Sequence, residues 1–210
     1  MSELASSPSA PTSYSMVVLG DSFAEGRGDA GPDGAYVGWV PRVARRLGIA
    51  ESAVLNLGAY GALTQDVVDT QLAQVADVET PLLGVAVGGN DLVRAYDPNR
   101  FRDNLRAIVE AVTAPGRTVF THDYPDIPGR IPGLPEETRA LLRERFDEAN
   151  AFLAQLCSER GVLRYGLATA ELTRDAAMWY PDGIHPSTLG HRTIAIEIAT
   201  MLSADTPAKL

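Results

Sequence analysis

A serine, an aspartate and a histidine in this chain are placed where they can share one reaction. Asp182-Gly183-Ile184-His185 runs straight into Pro186-Ser187, and an acid and a histidine three positions apart on a turn can both face one point. Far upstream, Gly20-Asp21-Ser22-Phe23 closes the apolar run Met16-Val17-Val18-Leu19, which puts Ser22 at the end of a predicted strand. A serine hydroxyl needs a base to take its proton at neutral pH, and that base needs a partner to orient it. Ser22 is therefore the candidate nucleophile, His185 the base and Asp182 the orienter, a set suited to making and breaking acyl bonds. Asp21 adjoins Ser22, but adjacent side chains point apart. Asp21 is expected to hold the turn by hydrogen bonds.

Such a reaction also needs fixed donors for the oxyanion that forms on the attacked carbonyl. Two further segments offer them at strand ends: Asn56-Leu57-Gly58 and Gly88-Gly89-Asn90-Asp91. A glycine amide and an asparagine side chain are suitable donors, although such sequences also make plain turns. Three successive strands would then each end in a nucleophile or a candidate donor.

Other patterns carry less. His185 and His191 do not have the i, i+4 spacing of a helical metal pair, and no cysteine accompanies them, so no metal site is expected. Gly26-Arg27-Gly28-Asp29-Ala30-Gly31 spells a dinucleotide-binding pattern, but it begins six residues after Gly20, and the next strand ends in Asn56 rather than an acid. Its embedded Arg-Gly-Asp reads as chance. No cofactor is expected.

The elements that must position these residues alternate in kind. Apolar runs predict strands over 15–20, 53–57, 82–87, 117–121 and 162–165. Helical spacing appears over 39–47, and in Val67, Val68, Leu72 and Val75 after a possible cap at Thr64. Asp97-Pro98 is a cap followed by proline at the first helical position. A long amphipathic helix is predicted over 135–160, ended by Gly161, and a last one from the cap Ser187 to about 201. This alternation predicts a parallel sheet with helices on both faces. The proline-rich loop 123–134 leaves the fourth strand at its carboxyl end, where such sheets bind ligands, so Tyr124, Ile131 and Leu134 are expected to line a substrate pocket.

The chain has 210 residues, 45% of them apolar, enough for one sizeable domain. A flexible leader is expected over 1–14, one domain over 15–203 and a tail over 204–210. The leader has neither a basic start nor an apolar core, so it does not read as a secretion signal. A net charge of −9 disfavours nucleic acid and anionic membrane surfaces as partners. No apolar run approaches the ~20 residues of a membrane span. Cys157 is the single cysteine, in the apolar stripe of the long helix, and is expected to be a buried structural thiol. Together these point to a cytoplasmic protein acting on a small molecule; nothing in the residues specifies an oligomeric state.

At the four segments quoted, the chain resembles the SGNH hydrolases, or GDSL-type esterases. Gly20-Asp21-Ser22-Phe23 is similar to the first family block, with phenylalanine in the place of leucine. Gly58, Asn90 and Asp182-x-x-His185 match the other three, in order. The resemblance implies a three-layer α/β/α sandwich, flavodoxin-like, with five parallel strands. It implies Ser22, His185 and Asp182 as the catalytic residues, and an oxyanion hole from the Ser22 and Gly58 amides and the Asn90 side chain. The expected activity is hydrolysis of carboxylic esters, small or short-acyl ones favoured, through an acyl-enzyme. An acyltransferase using the same site, or a non-catalytic binding module on the same fold, is the alternative.

Overall fold

The computed structural model describes residues 13–205. The rest of the expected leader and tail, 1–12 and 206–210, lies outside them. Strand β1, Met16–Gly20, is buried along its whole length. It lies between β2, Val54–Asn56, and β3, Leu82–Ala86, in a five-stranded sheet completed by β4, Thr118–His122, and β5, Leu163–Tyr165, in the order β2-β1-β3-β4-β5. Every pairing is parallel, with Val17 opposite Leu83 and Val18 opposite Asn56. This is the flavodoxin-like order, with its switch point between β1 and β3.

Side chains alternate across β1, as the period of two requires. Val17 and Leu19 join one core with Leu83, Val85, Ile108 and Leu153. The helices over that face are α6, Pro98–Val112, and α7, Glu136–Arg160, with α3, Thr64–Asp66, and α4, Leu72–Val75, joined by a π-helical turn at Val67–Gln71. Met16 and Val18 join the other core, under α2, Val40–Arg46, and α8, Thr188–Asp205. Two short helices, α1, Ser22–Glu25, and α5, Gly89–Arg94, follow β1 and β3 directly. The result is the three-layer α/β/α sandwich.

Most local signals act as expected. Asp97 caps α6 by accepting from the amides of Asn99 and Arg100, and Gly161 ends α7 in the left-handed conformation. The Ser187 hydroxyl accepts from the Gly190 amide at the start of α8. Cys157 is buried, and burial pushes its thiol up to about 11. Thr64 differs. It is not the cap of its helix: the Asp66 carboxylate takes the Leu63 amide at 2.8 Å. Thr64 instead gives both its amide and its hydroxyl to Asp91, at 2.9 and 2.6 Å. At the two ends of the described residues, the Tyr14 amide donates to the Glu79 carbonyl and α8 continues through Asp205. Among the described residues no helix is long and apolar enough to cross a membrane.

The end of β1 is held by a side chain that no local pattern marks. Gln71 is buried, donates to the Gly20 carbonyl and accepts from the Gly20 amide, both at 2.8 Å. Replacing it leaves a buried amide without a partner, at a cost of about 2–3 kcal/mol. Gln71→Ala is expected to lower Tm by roughly 4–10 °C in a thermal melt. An unchanged Tm would show that water replaces the side chain without loss.

Candidate active site

The site lies beyond the carboxyl ends of β1, β3 and β4, where the strand order reverses. Ser22 is the first residue of α1. It follows Asp21, whose carboxylate caps that helix by accepting from the Phe23 amide at 2.9 Å. Asp182 and His185 come from the turn before α8. That turn is closed by the Tyr180 amide on the His185 carbonyl and by a bridge between Trp179 and Pro186. Gly183 has φ +71°, and a β-carbon there would come within 2.3 Å of the Arg130 carbonyl oxygen, so the turn passes this point only with glycine.

These two segments, 163 residues apart, meet in one hydrogen-bonded row. Ser22 Oγ lies 2.8 Å from His185 Nε2, and His185 Nδ1 lies 2.7 Å from Asp182 Oδ2. The other Asp182 oxygen accepts from the amides of Ile184 and His185, at 2.8 and 3.0 Å. A carboxylate can only accept, which assigns the imidazole proton to Nδ1 and leaves the Nε2 lone pair for the serine hydroxyl. Partial burial acts to raise the Asp182 pKa, but the His185 ring and the two amides outweigh it and hold the carboxyl below its ordinary range. A row of this kind can move a proton from the serine to the imidazole and stabilise the cation that results.

The donors are placed unequally. Asn90, at the start of α5, faces the same cavity as Ser22, and one of its side-chain N–H groups is given to the Ala62 carbonyl at 3.1 Å. The Ser22 amide is at a helix start, where no intrahelical acceptor exists. Gly58 is not brought to the cavity wall. Its amide donates to Asn56 Oδ1 at 3.0 Å, while the Asn56 amide donates to the Ala24 carbonyl. A β-carbon on Gly58 would strike α1, 2.3 Å from the Glu25 nitrogen. Gly58 therefore packs against α1, the helix that bears Ser22, with its donor occupied.

A cavity of about 260 Å³ opens over Ser22 and His185. Its buried wall is apolar: Val87, Tyr124, Ile127, Phe146 and Trp179. Its exposed margin holds Tyr60, Arg94 and Ile184. The proline-rich loop contributes Tyr124, Pro125 and Ile127, but not Ile131 or Leu134. The loop folds back on itself through the Arg130 amide on the Ile127 carbonyl and the Gly129 amide on Asp126. Ile131 consequently packs against the core beneath α7, and Leu134 is a half-buried residue whose carbonyl is held by Arg139. Trp179 and Phe146 are additions from the structure. Trp179 lies three residues before Asp182, a proximity the sequence does display, whereas Phe146 reads as one more member of an apolar helical stripe.

The remaining histidines have other settings. His122 lines the cavity with its ring against Phe23, and its Nδ1 donates to the Asp123 carbonyl. Burial lowers its pKa. His191 is fully enclosed, and burial pushes it down to about 4. Among the described residues no group of three or more His, Cys, Asp or Glu side chains is arranged to hold a metal ion.

Residues 18–193 match the model of the GDSL-like Lipase/Acylhydrolase family, and the chain belongs to that family of esterases and lipases. By sequence, no curated protein matches the chain closely enough to count as a relative. Solved structures share its fold at low identity. TesA is 20% identical over 90% of this chain and 98% of its own, with a TM-score of 0.69. The psychrotrophic esterase EstA from Pseudoalteromonas, in a structure inhibited by monoethylphosphonate, is 15% identical over 90% and 96%, with a TM-score of 0.66. A catalytic mutant of the acetylxylan esterase Axe2 from Geobacillus stearothermophilus is 17% identical over 91% and 94%, with a TM-score of 0.65.

Asp21 provides a pH test of the site's electrostatics. Burial raises its pKa to about 7, the nearby Asp91 adds to the rise, and the Phe23 amide only partly offsets it. The folded state thus keeps a proton that the unfolded chain releases near the ordinary carboxylate value of ~3.9. Stability from this group is complete below that value and is lost as pH rises through about 7. In denaturant melts, wild type is expected to lose roughly 4 kcal/mol relative to Asp21→Asn between about pH 4 and pH 7.5. A difference that does not change with pH would mean that Asp21 is ionised throughout.

Proposed function

We propose that the protein is a serine esterase working through an acyl-enzyme, with Ser22 as nucleophile, His185 as general base and acid, and Asp182 as the group that orients His185. The observation that carries this reading is the unbroken row Ser22–His185–Asp182, at 2.8 and 2.7 Å, on the wall of a largely apolar cavity. Ser22 Oγ attacks the ester carbonyl as its proton passes to His185 Nε2. The imidazolium, stabilised by ionised Asp182, then protonates the departing alcohol as the tetrahedral intermediate collapses to the acyl-serine. Water enters, gives a proton to Nε2, attacks the acyl carbon, and releases the acid as Ser22 regains its proton.

The oxyanion is assigned to the Ser22 amide and to the second N–H of the Asn90 side chain. Gly58 can join them only by exchanging the Asn56 oxygen for the oxyanion. We assign the acyl group to the buried wall formed by Val87, Phe146 and Trp179, and the alcohol to the exposed margin at Tyr60 and Arg94. A cavity of this size favours small esters over long lipids. The phosphonate inhibition named for EstA supports the use of phosphonate probes on this chain.

Ser22→Ala is expected to abolish ester hydrolysis in a folded protein, and a fluorophosphonate should label wild type at Ser22 alone. Mass-spectrometric mapping of the label to another serine would overturn the assignment. Asn90→Ala is expected to lower kcat by roughly 10²–10³ with a much smaller change in KM, because the lost bond strengthens only in the transition state. Kinetics and melting on the same sample decide between this role and a structural one. A folded variant with wild-type kcat would remove Asn90 from the oxyanion hole.

A further inference from the structure

The glycine pattern after α1 has a distinct place in the molecule. Gly26-Arg27-Gly28 runs directly from the helix that bears Ser22 to the turn that bears His185. Gly26 ends α1 with φ +95°, and the amides of Gly26 and Arg27 both donate to the Ser22 carbonyl at 3.1 Å. The Arg27 carbonyl then accepts from His191 Nε2 at 2.9 Å. A carbonyl can only accept, so Nε2 carries the His191 proton. The opposite nitrogen, Nδ1, is buried and has no partner among the described residues. Gly28, again with φ +95°, lies on the catalytic turn itself. A β-carbon there would sit 2.2 Å from the Pro186 carbonyl oxygen and 3.3 Å from the His185 β-carbon.

Three consecutive residues therefore touch the nucleophile's carbonyl, the first part of α8 and the base's own turn. The far side of this segment is also fixed. Asp29 accepts from the Gly38 amide and pairs with Arg42 of α2. His191 belongs to the same chain segment as the catalytic turn, since its amide donates to the Ser187 carbonyl. Its burial keeps it neutral at physiological pH, so it is a fixed donor and not a proton carrier. A single serine–histidine hydrogen bond contributes only about 1 kcal/mol net and does not hold two distant segments in register. Misplacement by about 1 Å can cost 10²-fold in rate.

We infer that His191 is a positioning residue: by holding the Arg27 carbonyl it seats the Gly26–Gly28 spacer against the His185 turn and so sets the Ser22–His185 distance. This rests on the assignment of Ser22 and His185 proposed above. His191→Leu removes the donor and keeps the bulk, His191→Gln offers a replacement N–H, and Gly28→Ala displaces the spacer while leaving His191 intact. Each would be compared with wild type for Tm, kcat, KM and the rate at which a fluorophosphonate labels Ser22.

The expected result is a fall of roughly 10–10²-fold in kcat and in labelling rate for the folded Leu and Ala variants, with KM within about twofold, and substantial recovery in the Gln variant. If His191→Leu does not fold, Gly28→Ala decides. A lowered Tm with wild-type kcat and labelling rate would overturn the inference and leave His191 a purely structural residue. Wild type that is not labelled at Ser22 would instead overturn the serine-esterase reading, and this inference with it.

Discussion

Gly20 ends β1 with its amide and carbonyl both committed to Gln71, and the rest of the site is built outward from that clamp. The chain must leave a fully buried strand there without stranding a polar backbone group. The next residue, Asp21, donates its amide across to β3 at Ala86 and caps α1 with its carboxylate. Ser22 is thus delivered at a fixed height above the sheet, beside the point where the strand order reverses. A parallel sheet makes this crevice wherever its order changes sides.

Under the site lies a layer of acids that do not touch the reacting row. Asp91 is buried and its pKa is raised by that burial, yet it accepts both the amide and the hydroxyl of Thr64. Asn104 of α6 donates in turn to the Thr64 hydroxyl. The Gly88-Gly89-Asn90-Asp91 segment is thereby tied to the start of α3, one residue along from Asn90. Asp91 adds to the rise that burial imposes on the Asp21 pKa. Asp182 is stabilised in its charged form, by two amides and the His185 ring. The same side-chain type thus takes opposite charge preferences around Ser22: at Asp21 the Phe23 amide only partly offsets burial, whereas at Asp182 three hydrogen bonds outweigh it.

The order of the elements, the parallel sheet with helices on both faces, and the Ser22, Asp182 and His185 set were legible in the chain itself. The reason is that strand period, helix period, caps and turn glycines are written in near neighbours. Asp97, Gly161 and Ser187 each act as their local pattern predicts. Gln71, Phe146 and His191 were not legible in this way. Each sits in an apolar or helical stretch with nothing local to mark it, and its role depends on which distant backbone atom or cavity it meets. Thr64 shows the same limit from the other side: a sound local cap signal gave way to a buried carboxylate 27 residues away.

What the sequence by itself determined is the chemistry available: one hydroxyl, one imidazole and one carboxylate at strand ends and turns of a parallel α/β fold. Only the tertiary structure decided how that chemistry is arranged. It committed the Gly58 amide to Asn56, turned Ile131 and Leu134 away from the cavity, and drew its wall from Val87, Phe146 and Trp179. It also placed Gly28 against the His185 turn. Residue types and spacing determine what a segment can do, since backbone geometry is local. Convergence of segments 163 residues apart depends on packing, in which every helix and loop shares.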